Sequence, residues 1–190
     1  MDAADLPDLH ARALASAEAS VAGVGDDQWG LDTPCEGWAL REVVNHVVGG
    51  NYWAAELATG KTIEEVGDRL DGDVLGDDPL AAYKESAAAA DQAFKAPGAM
   101  EAPCAVSYGP VPGEIYAGHR FIDVLVHGWD VAKATGQDTA LDPELTEACL
   151  DVIEPQKELL LGSGMFGDHH DAPADADPQT RLLRLLGRTP

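Results

Sequence analysis

The segment 113–135 constrains the fold more than any other part of the sequence. Its apolar residues recur at helical spacing, and it ends at Gly136, the residue type favoured just after the last turn of a helix. Within it, His119, Asp123 and His127 follow one another at steps of four. At about 3.6 residues per turn, such steps keep all three on one side of a helix. The segment therefore predicts a helix that carries polar groups into an apolar core.

Buried imidazole and carboxylate groups cost free energy unless they are paired or bound to a metal ion. The spacing alone leaves two interpretations open: a divalent metal site, and a hydrogen-bonded His–Asp pair that stiffens the core. Distance narrows the set of ligands, because His119 and His127 lie about 12 Å apart along a helix while metal–nitrogen bonds are about 2 Å long. Asp123 and His127 are therefore the natural chelating pair, and His119 is expected at the rim of the site.

A second helix is predicted over about 39–58, and its apolar face carries His46. A lone histidine on such a face is usually a core residue with a satisfied hydrogen bond. That interpretation changes if another helix supplies a carboxylate and a histidine at the same depth, as Asp123 and His127 would. If a metal ion is bound, His46 can complete the ligand set with Asp123 and His127. Two imidazoles and one carboxylate leave room for water or substrate on the ion, as in catalytic sites.

The rest of the chain also favours helices, and no convincing strand pattern appears. Further helices are predicted over 5–24, from Asp78-Pro79 to just before Pro97, from Asp142-Pro143 onward with a kink or break at Pro155, and over 180–186. The segments 60–78, 97–112 and 162–178 are expected to be irregular. His10, in the first helix, has no partner pattern and is expected to be solvated, or to lie at an edge with its hydrogen bonds satisfied.

The charge of the chain excludes two classes of partner. Its 12 basic and 34 acidic residues give a net charge of −22, which repels nucleic acid and anionic membranes. No apolar run approaches the roughly 20 residues that a membrane-spanning helix needs, and the acidic first residues do not resemble a signal peptide. We expect one cytoplasmic domain over residues 1–190.

The three cysteines, Cys35, Cys104 and Cys149, lie far apart and outside any C-x-x-C pattern. A disulfide framework or a zinc knuckle is therefore not expected. Cys35 follows a Thr-Pro turn, and we interpret it as a packing residue rather than a catalytic thiol.

Three motifs in order, TPCEGW at 33–38, REVVNH at 41–46 and DVLVHGWDVA at 123–132, resemble a known family, as does the ending at 181–190. The sequence resembles the actinobacterial mycothiol-dependent maleylpyruvate isomerase N-terminal family, within the DinB-like superfamily of metalloenzymes. The resemblance implies an all-α, DinB-like four-helix bundle with extra short helices. It also implies a divalent metal ion, zinc in first place and nickel as the alternative, between the second and fourth long helices.

The same resemblance places the family's two ligand histidines at His46 and His127. The family's carboxylate is a glutamate in the isomerase itself and an aspartate here, at Asp123. The isomerase has a second, C-terminal domain that supplies a catalytic arginine, and these 190 residues contain no counterpart. The resemblance therefore carries over the metal ligands and not the isomerase reaction.

The function implied is that of a metal-dependent enzyme that uses a low-molecular-weight thiol, mycothiol, in transferase or isomerase-type chemistry on a small molecule. Two alternatives stay open. The first is a non-catalytic metal- or ligand-binding module. The second is a bundle, often a homodimer, in which the three predicted ligands form only a hydrogen-bond network. Asp130 and His119 are the nearest residues that could orient ligands or move protons, and the role of His169-His170 is left open.

Overall fold

The predicted amphipathic helices form in the computed structural model, which describes residues 5–158, 169–173 and 175–190. The helices are α1 (Leu6–Ala22), α2 (Leu40–Ala58), the short α3 (Ile63–Val66), α4 (Pro79–Phe94), α5 (Gly113–Thr135), α6 (Pro143–Ile153) and α7 (Pro178–Leu185). The four long ones, α1, α2, α4 and α5, follow the apolar periodicity of the sequence closely.

These four helices close into a bundle, because α1 and α2 each pack against both α4 and α5. Helix α1 approaches α5 at Gly128, where an added Cβ would lie 2.8 Å from the Cβ of Ala17. Helix α6 contacts α1 and α5 and also packs against α7. The predicted four-helix bundle with extra helices is confirmed.

The helix ends confirm the capping signals of the sequence. The Asp78 carboxylate accepts from the backbone N–H of Ala81 at 3.0 Å, just before Pro79 at the first helical position. Gly136 adopts φ +72°, the left-handed conformation that ends α5. Helix α6 ends at Ile153, and a 3-10 turn, Glu154–Gln156, follows where Pro155 predicted a break. Much of the predicted irregular segment 162–178 lies outside the described residues.

The expectation of no strands was wrong. Strands β1 (Pro103–Val106) and β2 (Gly109–Pro112) form an antiparallel hairpin in which Cys104 pairs with Val111, and it contacts α2 and α5. Both strands of a two-stranded ribbon are edges, so they tolerate the prolines that obscured the pattern. The segment predicted as an irregular connector over 97–112 is thus partly regular.

His10 was also misjudged, because it is fully buried rather than solvated. Its ring packs edge-on against Phe94 with the centroids 5.1 Å apart. Neither ring nitrogen has a hydrogen-bond partner among the described residues.

The three cysteines are free. Across the described residues, none of the helices is long and apolar enough to cross a membrane.

Candidate metal centre

The three predicted ligands meet between α2 and α5. His46 Nε2 lies 3.1 Å from Asp123 Oδ1, and His127 Nε2 lies 3.5 Å from the same oxygen. One nitrogen or oxygen from each residue falls within 4.8 Å of the other two. His127 is the most buried of the three, and His46 the most exposed, with 38% of its side chain accessible. The cluster therefore opens to solvent on the His46 side.

The spacing of these atoms fits a small divalent ion. In a tetrahedral zinc site with bonds of about 2.05 Å, neighbouring ligand atoms are about 3.3 Å apart. The two measured distances, 3.1 Å from His46 and 3.5 Å from His127, lie on either side of that value. Asp123 Oδ1 therefore lies at a suitable distance from both imidazole nitrogens for the three atoms to face one ion.

The hydrogen bond of His127 to Asp130 also supports a cation between His127 and Asp123. His127 Nδ1 lies 2.9 Å from Asp130 Oδ2, and this geometry assigns the proton of the ring to Nδ1, which donates. Nε2 then presents its lone pair to the carboxylate oxygen of Asp123, which is itself an acceptor. Two acceptors that face each other at 3.5 Å call for a cation between them, either a metal ion or a second ring proton.

Arg120 holds the other oxygen of Asp123. Its Nη1 donates to Asp123 Oδ2 at 2.8 Å, while Nη2 donates to Asn51 Oδ1 at 3.1 Å and to the Val47 carbonyl at 3.3 Å. Burial by itself would raise the pKa of Asp123, but Arg120, together with the two imidazoles, outweighs burial and holds that pKa well below its ordinary range. Asp123 is thus a carboxylate with Oδ1 directed at the histidines.

Trp38 covers the cluster from the loop before α2. Its ring lies nearly parallel to the His127 ring, with centroids 6.1 Å apart, and tilted against His46 at 4.8 Å. Thr33 Oγ1 donates to the Trp38 carbonyl at 2.9 Å and fixes the loop conformation. The indole is partly exposed, so it forms a wall at the solvent side of the site.

A second group, Cys35, His127 and Asp130, also brings together atoms that could hold a metal. Asp130 is already occupied, because Arg188 donates to its Oδ1 at 3.2 Å and to its Oδ2 at 2.8 Å. Burial raises the pKa of the half-buried Cys35 thiol, although Arg188 opposes the shift. The group around Asp123, which keeps an oxygen facing two imidazoles, is therefore the better candidate for a metal site.

His119 does not join the cluster. Its Nδ1 lies 2.6 Å from the Tyr108 hydroxyl and its Nε2 2.7 Å from Gln156 Oε1, so it ties the hairpin to the turn after α6. His169 and His170 are exposed. Among the described residues, neither belongs to a group of side chains that could hold a metal.

Motifs and spacing did not indicate the residues that surround and hold the predicted ligands. Asn51 and Trp38 sit near His46 along the chain, but nothing in their spacing indicated their partners. Arg120 lies three residues before Asp123. That spacing is typical of salt bridges within a helix, and it could have predicted the pair. Arg188 is separated from Asp130 by 58 residues, and only the folded chain reveals that pair.

Comparisons with known proteins agree with this architecture. Residues 10–132 match the family model of the mycothiol maleylpyruvate isomerase N-terminal domain. Uncharacterized proteins from two strains of Mycobacterium tuberculosis are each 40% identical over 185 residues, which cover 95% of this chain and 96% of the relative.

Two crystal structures of mycothiol-dependent maleylpyruvate isomerase, one of them of a mutant, superpose with a TM-score of 0.66 at 16% identity. The match covers 88% of this chain and 74% of the isomerase chain, and at that identity it establishes the fold. The family model and the relatives establish more than the fold: the chain belongs to the mycothiol maleylpyruvate isomerase N-terminal domain family.

Proposed function

We propose that His46, Asp123 and His127 bind one divalent metal ion, zinc in first place and nickel as the alternative, and that the protein is a metal-dependent enzyme that uses a low-molecular-weight thiol. The observation that carries the proposal is Asp123 Oδ1, which faces the Nε2 atoms of both histidines at 3.1 and 3.5 Å. The alternative network of hydrogen bonds alone would need a second proton on His127, whose Nδ1 already donates to Asp130.

A bound divalent ion would supply Lewis acidity, lowering the pKa of a thiol or water that reaches it. The chain's own residues set the conditions for that chemistry. Arg120 fixes the Asp123 carboxylate in place, and Trp38 shields one side of the cluster. His46 stands at the solvent opening, where a small molecule would enter.

The cysteines of the chain do not favour a protein nucleophile. Burial raises the pKa of Cys35, Cys104 and Cys149, which keeps all three as neutral thiols near neutral pH. A reactive thiolate would then come from an external thiol. The family model and the matched crystal structures are named for mycothiol, so mycothiol is the thiol we propose, in transferase or isomerase-type chemistry.

Cobalt substitution tests both parts of the proposal. Mycothiol is added to the Co²⁺-loaded protein, and a thiolate on the ion is detected as a new near-ultraviolet charge-transfer band. We expect the band in the wild type and in His119→Ala, a control histidine on the same helix outside the cluster, and its loss in His46→Ala. Tight Co²⁺ binding with no response to mycothiol would contradict the thiol-dependent enzyme and leave a metal-binding module. Absence of Co²⁺ binding in the wild type would contradict the site itself.

The predictions of a single domain over residues 1–190, of a cytoplasmic location and of a homodimer stay predictions. Size-exclusion chromatography with light scattering tests the last of them.

A further inference from the structure

We propose that Asp130 and Arg188 are positioning residues for the metal ligand His127, and that the C-terminal segment is therefore part of the site. The inference rests on the proposed metal function. It adds that the orientation and tautomer of His127 are set by a buried carboxylate–guanidinium pair whose cation comes from the last residues of the chain.

Asp130 lies one helical turn after His127 on α5 and is completely buried. Its Oδ2 accepts from His127 Nδ1 at 2.9 Å. A proton held on Nδ1 leaves the lone pair on Nε2, the nitrogen that faces Asp123 and His46. Histidines that bind metals generally donate their other ring N–H to a carboxylate or carbonyl in this way, which fixes the tautomer and the ring plane.

Arg188 fixes Asp130 in turn. Its Nε donates to Asp130 Oδ1 at 3.2 Å and its Nη2 donates to Oδ2 at 2.8 Å, so a planar fork grips both oxygens. The remaining Nη1 donates to the Leu186 carbonyl at 2.7 Å, and the side chain is 4% exposed. Because Arg188 binds both carboxylate oxygens, it opposes rotation of Asp130 away from His127.

Buried residues of α7 and a turn at Gly187 hold Arg188 in this position. Leu182, Leu183 and Leu186 are fully buried, which anchors α7 and the residues just after it. Gly187 adopts φ +80°, a left-handed conformation that turns the backbone, and the N–H of Arg188 then donates to the Leu183 carbonyl at 2.8 Å. The guanidinium thereby reaches α5 from an element outside the four-helix bundle.

A purely structural ion pair would predict a different outcome from a positioning pair. Loss of a structural pair lowers the stability of the fold and leaves the intrinsic zinc affinity of the folded protein unchanged. Loss of a positioning pair lowers zinc affinity in protein that remains folded, by about 10- to 100-fold for residues that orient a ligand. The tautomer of His127 is a further readout, and it can be measured without metal.

The experiment measures zinc affinity by competition with a chelator, together with the ring nitrogen shifts of His127 in ¹⁵N-histidine NMR of the metal-free protein. The variants are Asp130→Asn, Arg188→Met and the conservative Arg188→Lys. Tyr83→Phe is the matched control, since it removes a buried hydrogen bond, from the Tyr83 hydroxyl to the Leu14 carbonyl at 3.0 Å, on α4.

We expect Asp130→Asn and Arg188→Met to weaken zinc binding about 10- to 100-fold and to shift His127 from the Nδ1–H form toward a mixture of tautomers. Arg188→Lys should restore part of the affinity, and Tyr83→Phe should leave both readouts unchanged. Zinc affinity equal to the wild type in folded Asp130→Asn and Arg188→Met, with the Nδ1–H tautomer retained, would overturn the inference while the metal site stands. No zinc binding by the wild type would instead overturn the proposed function, and with it the positioning role.

Discussion

Two histidines are buried in the core of the same bundle, and their surroundings differ completely. His10 on α1 packs against Phe94, and neither of its ring nitrogens has a hydrogen-bond partner in the described part of the chain. His127 on α5 has a carboxylate on each side, with Asp130 at 2.9 Å from Nδ1 and Asp123 at 3.5 Å from Nε2. Both positions belong to apolar helix faces.

The difference shows that burial of a histidine alone does not indicate a functional site. Burial, followed by the positive charges of Arg120 and Lys95, lowers the pKa of His10 to about 3, so it packs as a neutral ring. His127 lies instead among charged groups that are themselves paired, Asp123 with Arg120 and Asp130 with Arg188. The carboxylates at the same depth, and not the imidazole, mark the candidate site.

The strongest test of this comparison removes the carboxylate of Asp123, which faces His127. Asp123→Ala leaves Arg120 buried without its anion, and loss of one partner of such a pair costs about 3–5 kcal/mol. We expect that loss in the free energy of unfolding of metal-free protein, measured with urea. Glu18→Ala, which removes an exposed pair with Lys84 at 3.7 Å, should cost less than about 1 kcal/mol. Equal effects of the two substitutions would contradict the contrast.

The buried environment of His10 is tested by the pH dependence of the free energy of unfolding. The folded-state pKa of His10, about 3, lies below its ordinary value of 6.5, so below pH 6.5 the unfolded chain takes up a proton that the folded chain does not. The stability that neutral His10 contributes is therefore complete above pH 6.5 and is lost progressively as the pH falls toward 3. Relative to His10→Leu, the wild type should lose about 2 kcal/mol between pH 6.5 and 4.5.

Urea unfolding of both proteins across that pH range gives the difference directly, because the carboxylates that titrate in the same range are common to both. Parallel pH profiles for the wild type and His10→Leu would show that His10 takes up its proton in the folded state, contrary to the account.

The contact between the two helices that carry these histidines gives a smaller effect. Gly128→Ala places a Cβ 2.8 Å from the Cβ and 3.0 Å from the Cα of Ala17, so α1 and α5 must move apart. Overpacking of this kind costs about 1–3 kcal/mol, which thermal unfolding can detect. Gly30→Ala is the control, since an added Cβ there meets no atom within 4 Å. Equal melting temperatures for Gly128→Ala and the wild type would show that the interface adapts.

The smallest effect is expected at His119, the histidine that shares α5 with His127 but not its surroundings. His119→Ala removes the hydrogen bonds to Tyr108 and Gln156, and a partly exposed pair of this kind contributes about 1 kcal/mol. Zinc affinity, measured by calorimetry, should match that of the wild type. A marked loss of zinc affinity would place His119 in the metal site and contradict the difference between His119 and His127.

Local signals predicted most of the fold. Apolar periodicity located the long helices, while Asp78, Pro79 and Gly136 marked their ends, because capping depends on residues that are neighbours in the chain. The hairpin escaped prediction because its short strands contain prolines, and their pairing depends on contact between segments rather than on the pattern within either one.

Some residues of the candidate site could likewise be predicted from the sequence, and others could not. His46, Asp123 and His127 could be proposed from spacing on two helices and from the family resemblance. Arg188 and the buried environment of His10 could not, because they follow from how α7 and α4 pack on the bundle. Steps of three and four residues identify one face of a helix, but they do not reveal what that face meets.

The most direct test of the central claim is the zinc content of protein purified without chelator, measured by elemental analysis and followed by zinc titration. The account predicts one zinc per chain in the wild type and in His119→Ala. It predicts affinity reduced by more than about 100-fold in His46→Ala and His127→Ala, since removal of a ligand costs more than loss of a residue that only orients one. Wild-type protein with no zinc, and with a melting temperature that added zinc leaves unchanged, would contradict it.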